Sequence, residues 1–459
     1  MMLLALLACG RFAPPHPVVR DDSGTIVEST PPDDSGETGG PPAPPPLRIA
    51  WGDLHNHTNL SQDGCENADA GCLPDESLPG EPVFARAEAN GLDFAAITDH
   101  AEFSRYQRDA DGIDLDVWER TKELVAAAET GPVVPILGFE WTASCRYQEG
   151  EPEYEKVHRT VLLEDPGACA ALRVPSCHTP GASVEAGAER YWYTDLDAVL
   201  LPNELEAALA AAGDLDGCAP TRWIAFYHHP AEEIPAWVDW ADPDNDVPGD
   251  VVVEIASQHG SSECWDAGAE GCDWRHNTEH YVPEGSIQYA LQLGKKLGFV
   301  GGTDNHEADP GNLERVGMVR NTQVGDTANS QFTKGTVTGV ILPEALPLTR
   351  AALFDAIERR NTVAASWAFE GLSVEATGPD GARWLPGDDV PAAATPLTIA
   401  VTLDDPTVSS WTAELVAPDG TVAPADQLTL APGDARYLRI RAFVGEEEHR
   451  VWASPWFGT

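Results

Sequence analysis

Short apolar runs alternate with amphipathic stretches between residues 47 and 369 of this 459-residue chain. Seven runs have the length and composition of buried strands, at 47–54, 93–98, 133–139, 157–163, 223–227, 251–255 and 298–301. Five stretches space their apolar residues as helices do, at 81–90, 116–129, 203–212, 285–297 and 349–360. This alternation predicts an α/β architecture with a mainly parallel sheet, most simply a barrel.

The pattern changes after residue 369. Strand-like runs at 372–377, 397–403, 412–416 and 437–444 are separated by Pro-Asp-Gly and Asp-Asp-Pro turns, and this region has no clustered histidines. We therefore expect an α/β domain at 47–370, followed at 371–459 by a small β-sandwich-like region with a structural or docking role.

The first 46 residues lack the pattern of a folded domain. An apolar run ends in Leu6-Leu7-Ala8-Cys9-Gly10, which resembles the processing box of bacterial lipoproteins, so 1–9 is predicted to be a signal segment with Cys9 as the lipidated residue. Residues 10–46 are rich in Pro, Gly and Asp and predict a disordered linker. We expect an exported lipoprotein, periplasmic or at the cell surface, that meets the membrane only through this anchor, because no later stretch approaches the roughly 20 apolar residues that span a bilayer.

Eight cysteines remain besides Cys9, and six of them form close pairs in sequence: Cys65 with Cys72, Cys169 with Cys177, and Cys264 with Cys272. In an exported protein this pattern predicts disulfides, and it leaves Cys145 and Cys218 for a longer link. A thiolate zinc site is the alternative, but no C-x-x-C pair occurs.

Composition narrows the set of partners. The chain has 28 Lys+Arg against 75 Asp+Glu, a formal charge of −47, so it should repel nucleic acid and anionic membrane surfaces. With 42% hydrophobic residues it is long enough to bury one large core and a smaller one. The acidity by itself does not indicate a metal site, since a solvated surface accounts for it.

Side chains that bind metals follow most of the predicted strands. They stand in seven short segments, 53–57, 61–64, 98–100, 138–141, 227–230, 254–259 and 303–306. Barrel enzymes build their sites at the carboxyl ends of the strands, so we expect these segments to meet. Buried imidazoles and carboxylates are costly to gather unless a cation neutralises them. The sequence therefore predicts a multinuclear metal site.

Individual segments differ in how far they point to a metal. His55 and His57 are two residues apart and project to one face of an extended strand. Glu140 ends an apolar run with no Lys or Arg adjacent before Arg146, so a metal is the simplest partner for its charge. Asp304 and His306 form another pair two residues apart.

Other segments leave alternatives open. Asp63 is either a turn residue or a bridging carboxylate, and His158 is either a ligand or a packed residue. One of His228 and His229 should face the centre, whereas His259 is close enough to Gly260 to belong to a plain loop.

The order HxH, S-x-D-G, T-D-H, G-x-E, H-P and D-x-H resembles the polymerase and histidinol phosphatase (PHP) superfamily over residues 47–366. The flanking residues, including 348–357, are similar to the DUF3604 family within it. The resemblance implies a distorted (β/α)7 PHP-type barrel that holds up to three divalent ions, commonly zinc, manganese or iron, and hydrolyses phosphoesters.

Carried over by position, the resemblance forms one part of the cluster from His55, His57, Glu140 and Asp304. It assigns a second part to His100 and His158, and the rest to Asp63, His229, His259 and His306. Glu140 would be a bridge between ions. Asp63 stands where many members of the superfamily have His. The pattern selects the histidine before Pro, which leaves His228 for a supporting or substrate-binding role.

Two or three bound cations would lower the pKa of a bridging water toward neutrality and stabilise the charge on the attacked group. We expect Asp99, Glu102 and His228 to assist proton transfer, and Arg159, with Arg105, to hold a small anionic substrate. An amidohydrolase-like amide or ester hydrolase is an alternative, but those barrels usually use a bridging Lys, and no Lys stands at a predicted strand end. A non-enzymatic surface metal-binding protein is the third interpretation.

Overall fold

The computed structural model describes residues 44–61, 83–100, 117–143, 157–165, 205, 222–232, 237–245, 247, 249–266, 268–269, 271–272, 281–313 and 335–459. Several predicted features lie outside these residues: the signal segment, nearly all of the linker, and nearly all of the helix expected at 203–212. The same is true of Asp63, Glu102, Arg105 and seven of the nine cysteines.

The amino-terminal part, up to residue 365, contains ten strands and four α-helices among the described residues. The strands are β1 (Leu47–Asp53), β2 (Phe94–Ile97), β3 (Val134–Ala143), β4 (Val157–Leu163), β5 (Trp223–Tyr227), β6 (Val252–Ser257), β7 (Gly260–Ser261), β8 (Gly298–Gly301), β9 (Val337–Pro343) and β10 (Thr362–Ala365). The helices are α1 (Val83–Ala89), α2 (Val117–Ala128), α3 (Ile287–Gln292) and α4 (Arg350–Glu358). Short 3-10 turns lie at Pro243–Asn245 and Pro283–Gly285.

The remaining described residues are almost entirely β-structure. Their strands are β11 (Ser373–Thr377), β12 (Arg383–Trp384), β13 (Asp389–Val390), β14 (Leu397–Thr402), β15 (Val408–Val416), β16 (Val422–Pro424), β17 (Gln427–Leu428), β18 (Ala435–Val444) and β19 (Glu447–Gly458). A 3-10 turn lies at Ala392–Ala394. The molecule is therefore mixed α/β, with a large β-rich part and few helices.

Three sheets organise these strands. A 12-stranded sheet has the order β16-β15-β18-β19-β10-β9-β1-β2-β3-β4-β5, with β13 beside β19. A four-stranded sheet has the order β12-β11-β14-β17, and a three-stranded sheet has the order β7-β6-β8. Strand β1 is parallel to β2, and β2 to β3, but β4 is antiparallel to both β3 and β5. Strand β9 is antiparallel to β1. The expectation of a mainly parallel sheet is wrong, because an apolar run shows that a strand is buried and not which way it runs.

A closed barrel is not confirmed. The segments that follow β1 and β8 lie side by side and form a parallel β-bridge between Asn56 and Asn305. The amide of His57 donates to the carbonyl of Asn305 at 2.7 Å, and the amide of Asp304 donates to the carbonyl of His55 at 2.8 Å. In the described part of the chain, however, no strand pairing joins β5 to β6, so hydrogen bonding does not run round a complete cylinder.

Helix α3 is shorter than the stretch predicted at 285–297. Pro283–Gly285 forms a 3-10 turn, and Ser286 then caps the helix by accepting a hydrogen bond from the amide of Tyr289 at 3.3 Å. Gly294, with φ +83°, follows the last turn. The apolar spacing continues past both ends, but the Pro and Gly residues set the helix bounds.

The strands beyond residue 336 are continuous with the first part of the chain. Strand β9 pairs with β1, β10 pairs with β9, and β19 pairs with β10, which extends the large sheet to β18 and β15. None of β9, β10 and β19 was predicted. Side chains of β11 and β14 share one apolar cluster with those of β18 and β19. Residues Pro45–Thr459 form one compact unit.

Two further predictions can be compared with the structure. The disulfide between Cys264 and Cys272 is confirmed. Among the described residues, no helix has the length and apolar character needed to cross a membrane.

Candidate metal centre

The ends of β1 and β8 are held together by one buried carboxylate. Asp53 accepts hydrogen bonds from the amides of His55 and Thr303, each at 3.1 Å, and from the Thr303 hydroxyl. Strand β1 ends at Asp53 and the chain bends at Leu54 and His55, yet Nε2 of both His55 and His57 faces the same oxygen of Glu140. The contacts of Asp53 place Asp304, the residue after Thr303, beside these two rings.

Four side chains form what we call the central position: His55, His57, Glu140 and Asp304. Oε2 of Glu140 lies 3.3 Å from Nε2 of His55 and 3.0 Å from Nε2 of His57. Oδ1 of Asp304 lies 3.4 Å from each of the same two nitrogens. A tetrahedral metal with ligands at about 2.1 Å holds neighbouring donor atoms about 3.4 Å apart. The spacing of these donors therefore fits one ion.

The second oxygen of Glu140 faces a different set of histidines, which we call the Glu140 side. Oε1 lies 2.6 Å from Nδ1 of His158, 3.3 Å from Nδ1 of His100 and 3.5 Å from Nε2 of His228. His158 reaches this point because β4 is antiparallel, so its beginning lies where β1, β2 and β3 end. One carboxylate thus joins two sets of imidazoles.

The second oxygen of Asp304 defines an Asp304 side. Oδ2 lies 2.9 Å from Nε2 of His259, and a ring nitrogen of His229 lies within 4.8 Å of a ring nitrogen of His259 and of a carboxylate oxygen of Asp304. The backbone φ angles of His229 and Asp304 are +34° and +52°, in the left-handed region that few residues other than glycine adopt. Such conformations cluster at functional sites, where the surrounding structure holds them in place.

His306 lies over the ring of His57, with the centroids 4.1 Å apart and the planes nearly parallel. Its Nδ1 is 2.9 Å from the carbonyl oxygen of Asp304. His57, His100 and His306 together bring three ring nitrogens within 4.8 Å of one another.

The four donors of the central position are buried, whereas His259 and His306 are partly exposed, and among the described residues no Lys or Arg forms an ion pair with Glu140 or Asp304. His55, Glu140 and Asp304 are 0%, 1% and 2% exposed, and every ion pair that the two carboxylates form in the described residues is with a histidine. Nδ1 of His228 has no hydrogen-bond partner among them. Buried polar atoms are rarely left in this state, so the donor set fits metal ions.

The electrostatics point the same way. Burial disfavours a charged imidazole at His55, but Asp304 and Glu254 outweigh it and raise its pKa well above the usual value. Burial likewise opposes the charge on Glu140, yet the surrounding histidines, His100 first among them, hold its pKa well below the usual range. Burial and the nearby His55 lower the pKa of His228 to about 3. The site therefore combines ionised carboxylates with nitrogen donors, the combination that binds transition metals.

Two carboxylates behind the histidines were not predicted. Oε2 of Glu254 lies 2.9 Å from Nδ1 of His55, and Oε2 of Glu232 lies 2.6 Å from Nδ1 of His259. Carboxylates in this place fix the orientation of a ligating imidazole. Glu254 lies within the apolar strand β6. A carboxylate in an apolar run was the signal that pointed to Glu140, and the same signal could have identified Glu254. Nothing in the local sequence marks Glu232, because its partner is 27 residues away.

The remaining predicted residues lie near the site or outside the described chain. Asp99 accepts hydrogen bonds from the amide and hydroxyl of Thr58, at 2.6 and 2.8 Å, and so fixes the loop after His57. Arg159 is buried, forms an ion pair with Asp250 and lies 4.8 Å from the ring centroid of Tyr227, on the face of β4 opposite His158. Asp63 and Glu102 fall outside the described residues.

No family profile matches the chain, and no curated protein matches it. Among solved structures, it is similar to a two-domain protein from Bacteroides vulgatus that contains a predicted PHP-like metal-dependent phosphoesterase, with 15% identity, a TM-score of 0.39, and 92% of this chain and 99% of the other covered. It is also similar to a candidate metal-dependent phosphoesterase from Bifidobacterium adolescentis, with 17% identity, a TM-score of 0.30, and coverage of 58% and 90%. At these values the function has to be argued from the site itself.

Proposed function

We propose that this chain is a metal-dependent hydrolase of the PHP superfamily, in its DUF3604 family, that cleaves phosphoesters at a site for two to three zinc, manganese or iron ions. The observation that carries the proposal is the position of Glu140. Its two oxygens face separate sets of imidazoles, which is the arrangement that two neighbouring ions require.

The roles of the residues follow from their contacts. His55, His57, Glu140 and Asp304 would hold one ion. His100 and His158 would hold a second on the other oxygen of Glu140, together with His228, which is nearer to that oxygen than the prediction of a supporting or substrate-binding role implied. Ions bound there would act as Lewis acids and lower the pKa of a water molecule to about 7.

Protein side chains would keep this arrangement rigid. Glu254 holds the ring of His55 with Nε2 directed at the carboxylates, and Asp99 fixes the loop that follows His57. The burial of all these groups keeps bulk water out, which strengthens their interaction with a charged substrate.

The bridging group argues for a phosphoesterase over an amidohydrolase-like enzyme. In the described residues no lysine lies among the metal-binding groups, and Glu140 occupies the bridging place. The substrate is proposed to be a small anion and not a nucleic acid, because the chain has a net charge of −47. Arg159 contributes little direct charge in this account, since its guanidinium pairs with Asp250.

We also propose that the protein is exported and anchored through Cys9. The Cys264–Cys272 disulfide supports an oxidising compartment. Labelling of cells with a palmitate analogue should mark the wild type and not Cys9→Ala. An unlabelled wild type would contradict the anchor.

The hydrolase is tested by kinetics on three aryl substrates: a phosphomonoester, a phosphodiester and a carboxylic ester. Wild type, loaded with each of the three metals in turn, should cleave at least one phosphoester. Glu140→Gln should lose at least about 100-fold in kcat/KM, the upper end of the loss seen when an outer partner of a metal ligand is removed. Glu284→Gln, at an exposed position, is the matched control and should keep full activity. Cleavage of the carboxylic ester alone would favour the amidohydrolase-like alternative.

A further inference from the structure

Ser61 lies behind one histidine of the central position and beside a histidine of the Glu140 side. Its Oγ is 3.3 Å from Nδ1 of His57, and it accepts a hydrogen bond from the amide of His100 at 3.2 Å. Ser61 is fully buried, so solvent does not reach this hydroxyl. One side-chain oxygen thus contacts two residues that the proposed function assigns to two different ions.

His57 is supported differently from its neighbour His55. A carboxylate, Glu254, lies behind Nδ1 of His55, whereas in the described part of the chain the hydroxyl of Ser61 lies behind Nδ1 of His57. A neutral imidazole that binds an ion through Nε2 carries its proton on Nδ1, so the group facing Nδ1 has to accept that proton in a hydrogen bond. A hydroxyl does so without adding a negative charge beside the two carboxylates of the central position.

A hydrogen-bonded turn holds Ser61 in place. Asp99 accepts hydrogen bonds from the amide and the hydroxyl of Thr58, at 2.6 and 2.8 Å. The carbonyl of Thr58 accepts a hydrogen bond from the amide of Ser61 at 3.2 Å, and its hydroxyl accepts one from the amide of Leu60 at 3.0 Å. These bonds fix Oγ of Ser61 before any ion binds, which is what the support of a metal ligand requires.

We propose that Ser61 is a positioning residue of the metal centre. Its hydroxyl keeps the proton of His57 on Nδ1, with Nε2 directed at the ion, and it holds the backbone of His100 at the Glu140 side. The proposal rests on the proposed function, because His57 and His100 are ligands only if ions bind. In the S-x-D-G segment a role was predicted for Asp63 alone, so Ser61 is an addition to the site.

Ser366 is a matched control outside the site. Its Oγ lies 3.4 Å from Nδ1 of the buried His449 and accepts a hydrogen bond from the amide of Arg450 at 2.9 Å. Among the described residues, none of these three belongs to a group that could hold a metal ion. Ser366→Ala therefore removes the same two kinds of contact as Ser61→Ala without touching a metal ligand.

The test is calorimetric titration of the full chain with zinc, after the protein has been stripped with a chelator. Ser61→Ala should raise the Kd of at least one ion by about tenfold, the lower end of the range for an outer partner of a metal ligand, because a hydroxyl carries no charge. Ser366→Ala should leave every Kd unchanged. Both variants lose a buried hydroxyl, so urea denaturation of the metal-free proteins should show losses of similar size.

A second measurement needs no change at Ser61. Nitrogen-15 NMR of zinc-loaded wild type with labelled histidine should show His57 protonated on Nδ1, with its signals assigned through their loss in His57→Asn. Zinc bound to Nδ1 of His57 would overturn the proposal, even if Ser61→Ala did not fold.

The remaining outcomes are distinguishable. An unchanged set of Kd values in Ser61→Ala would overturn the proposal and leave the proposed hydrolase intact. An equal rise in Kd in Ser366→Ala would show that lost stability weakens metal binding, and it would also overturn the positioning role. A wild type that takes up no zinc would overturn the proposed function itself.

Discussion

Two buried carboxylates of this protein, Glu140 and Glu263, are neutralised in opposite ways. Glu263 accepts hydrogen bonds from the hydroxyl of Tyr437 at 2.7 Å, the guanidinium of Arg439 at 2.8 Å and the indole of Trp452 at 2.7 Å. Glu140 is also buried, but among the described residues its carboxylate forms ion pairs only with imidazoles. One environment provides a permanent positive charge, and the other provides groups that can exchange a proton for a metal ion.

The difference separates structure from function within one chain. Arginine stays protonated at any physiological pH, so the Glu263 network is complete without a ligand. It joins the loop after β7 to strands β18 and β19. Imidazoles bind metal in their neutral form, and a neutral imidazole does not compensate a buried carboxylate. Glu140 therefore needs either protonated histidines or a metal ion, whereas Arg439 neutralises Glu263 at any physiological pH.

The largest expected effect is on stability. Glu263→Gln leaves Arg439 with only the partly exposed Glu414 as counter-charge, so the free energy of unfolding of the metal-free protein should fall by up to about 3–5 kcal/mol. Urea denaturation measures the change, with Glu284→Gln as the control. The number of metal ions bound by the folded variant should not change; a loss of ions would show that the two regions are not independent.

For each site filled, metal addition should have the next largest effect, and it should act only through the site. Zinc at about 100 times its Kd should raise the free energy of unfolding by about 2.7 kcal/mol for each site filled, because the ion binds the folded state. Wild type and Glu263→Gln should gain equally, whereas Glu140→Gln should gain less. An equal gain in all three proteins would break the comparison.

Glu254→Gln tests the support behind the site. The variant removes the charge beside Nδ1 of His55 and keeps the shape, so the Kd of the central ion should rise by about 10- to 100-fold. Calorimetric titration measures the Kd, and denaturation should show no loss on the scale of Glu263→Gln. An unchanged Kd would mean that Glu254 does not orient His55.

The change in metal affinity for each pH unit should be the smallest of these effects. Burial opposes the charge on His57, but Asp304 and Glu140 outweigh it and raise the pKa to about 9 in the metal-free protein. This raised pKa stabilises the metal-free fold below about pH 6.5, and the contribution is lost as the pH rises through about 9. The ion must displace the proton, so affinity should rise toward pH 9, by up to about tenfold per pH unit for each proton released.

Calorimetry with manganese in two buffers of different ionisation enthalpy would count the released protons. A Kd that is constant with pH, without proton release, would contradict the raised pKa of His57. The Glu263 network contains no histidine among its described partners, so its contribution should not change over the same interval.

The sequence predicted strands and clustered metal-binding side chains where the signal was local. The apolar runs at 157–163, 223–227 and 298–301 coincide with β4, β5 and β8. His55 and His57 were predicted because their spacing of two residues is visible in the sequence, although the strand ends at Asp53. The direction of β4 was missed, since strand pairing depends on distant residues, and so was the reason that His158 reaches the site.

The side chains that neutralise each buried carboxylate could not be predicted from the sequence either. Glu232, Glu254 and Glu263 all stand near the predicted segments, but their partners are far along the chain. Glu254 lies 199 residues from His55, and Glu263 lies 176 residues from Arg439. Local composition shows that a carboxylate is near a buried strand. Only the fold shows whether an arginine or a set of histidines meets it.

The most direct test of the account is anomalous diffraction from crystals of the zinc-loaded protein, recorded on both sides of the zinc absorption edge. The account predicts two separate peaks, one about 2.1 Å from each carboxylate oxygen of Glu140. A single peak at one oxygen, or none at either, would contradict the claim that Glu140 bridges two ions.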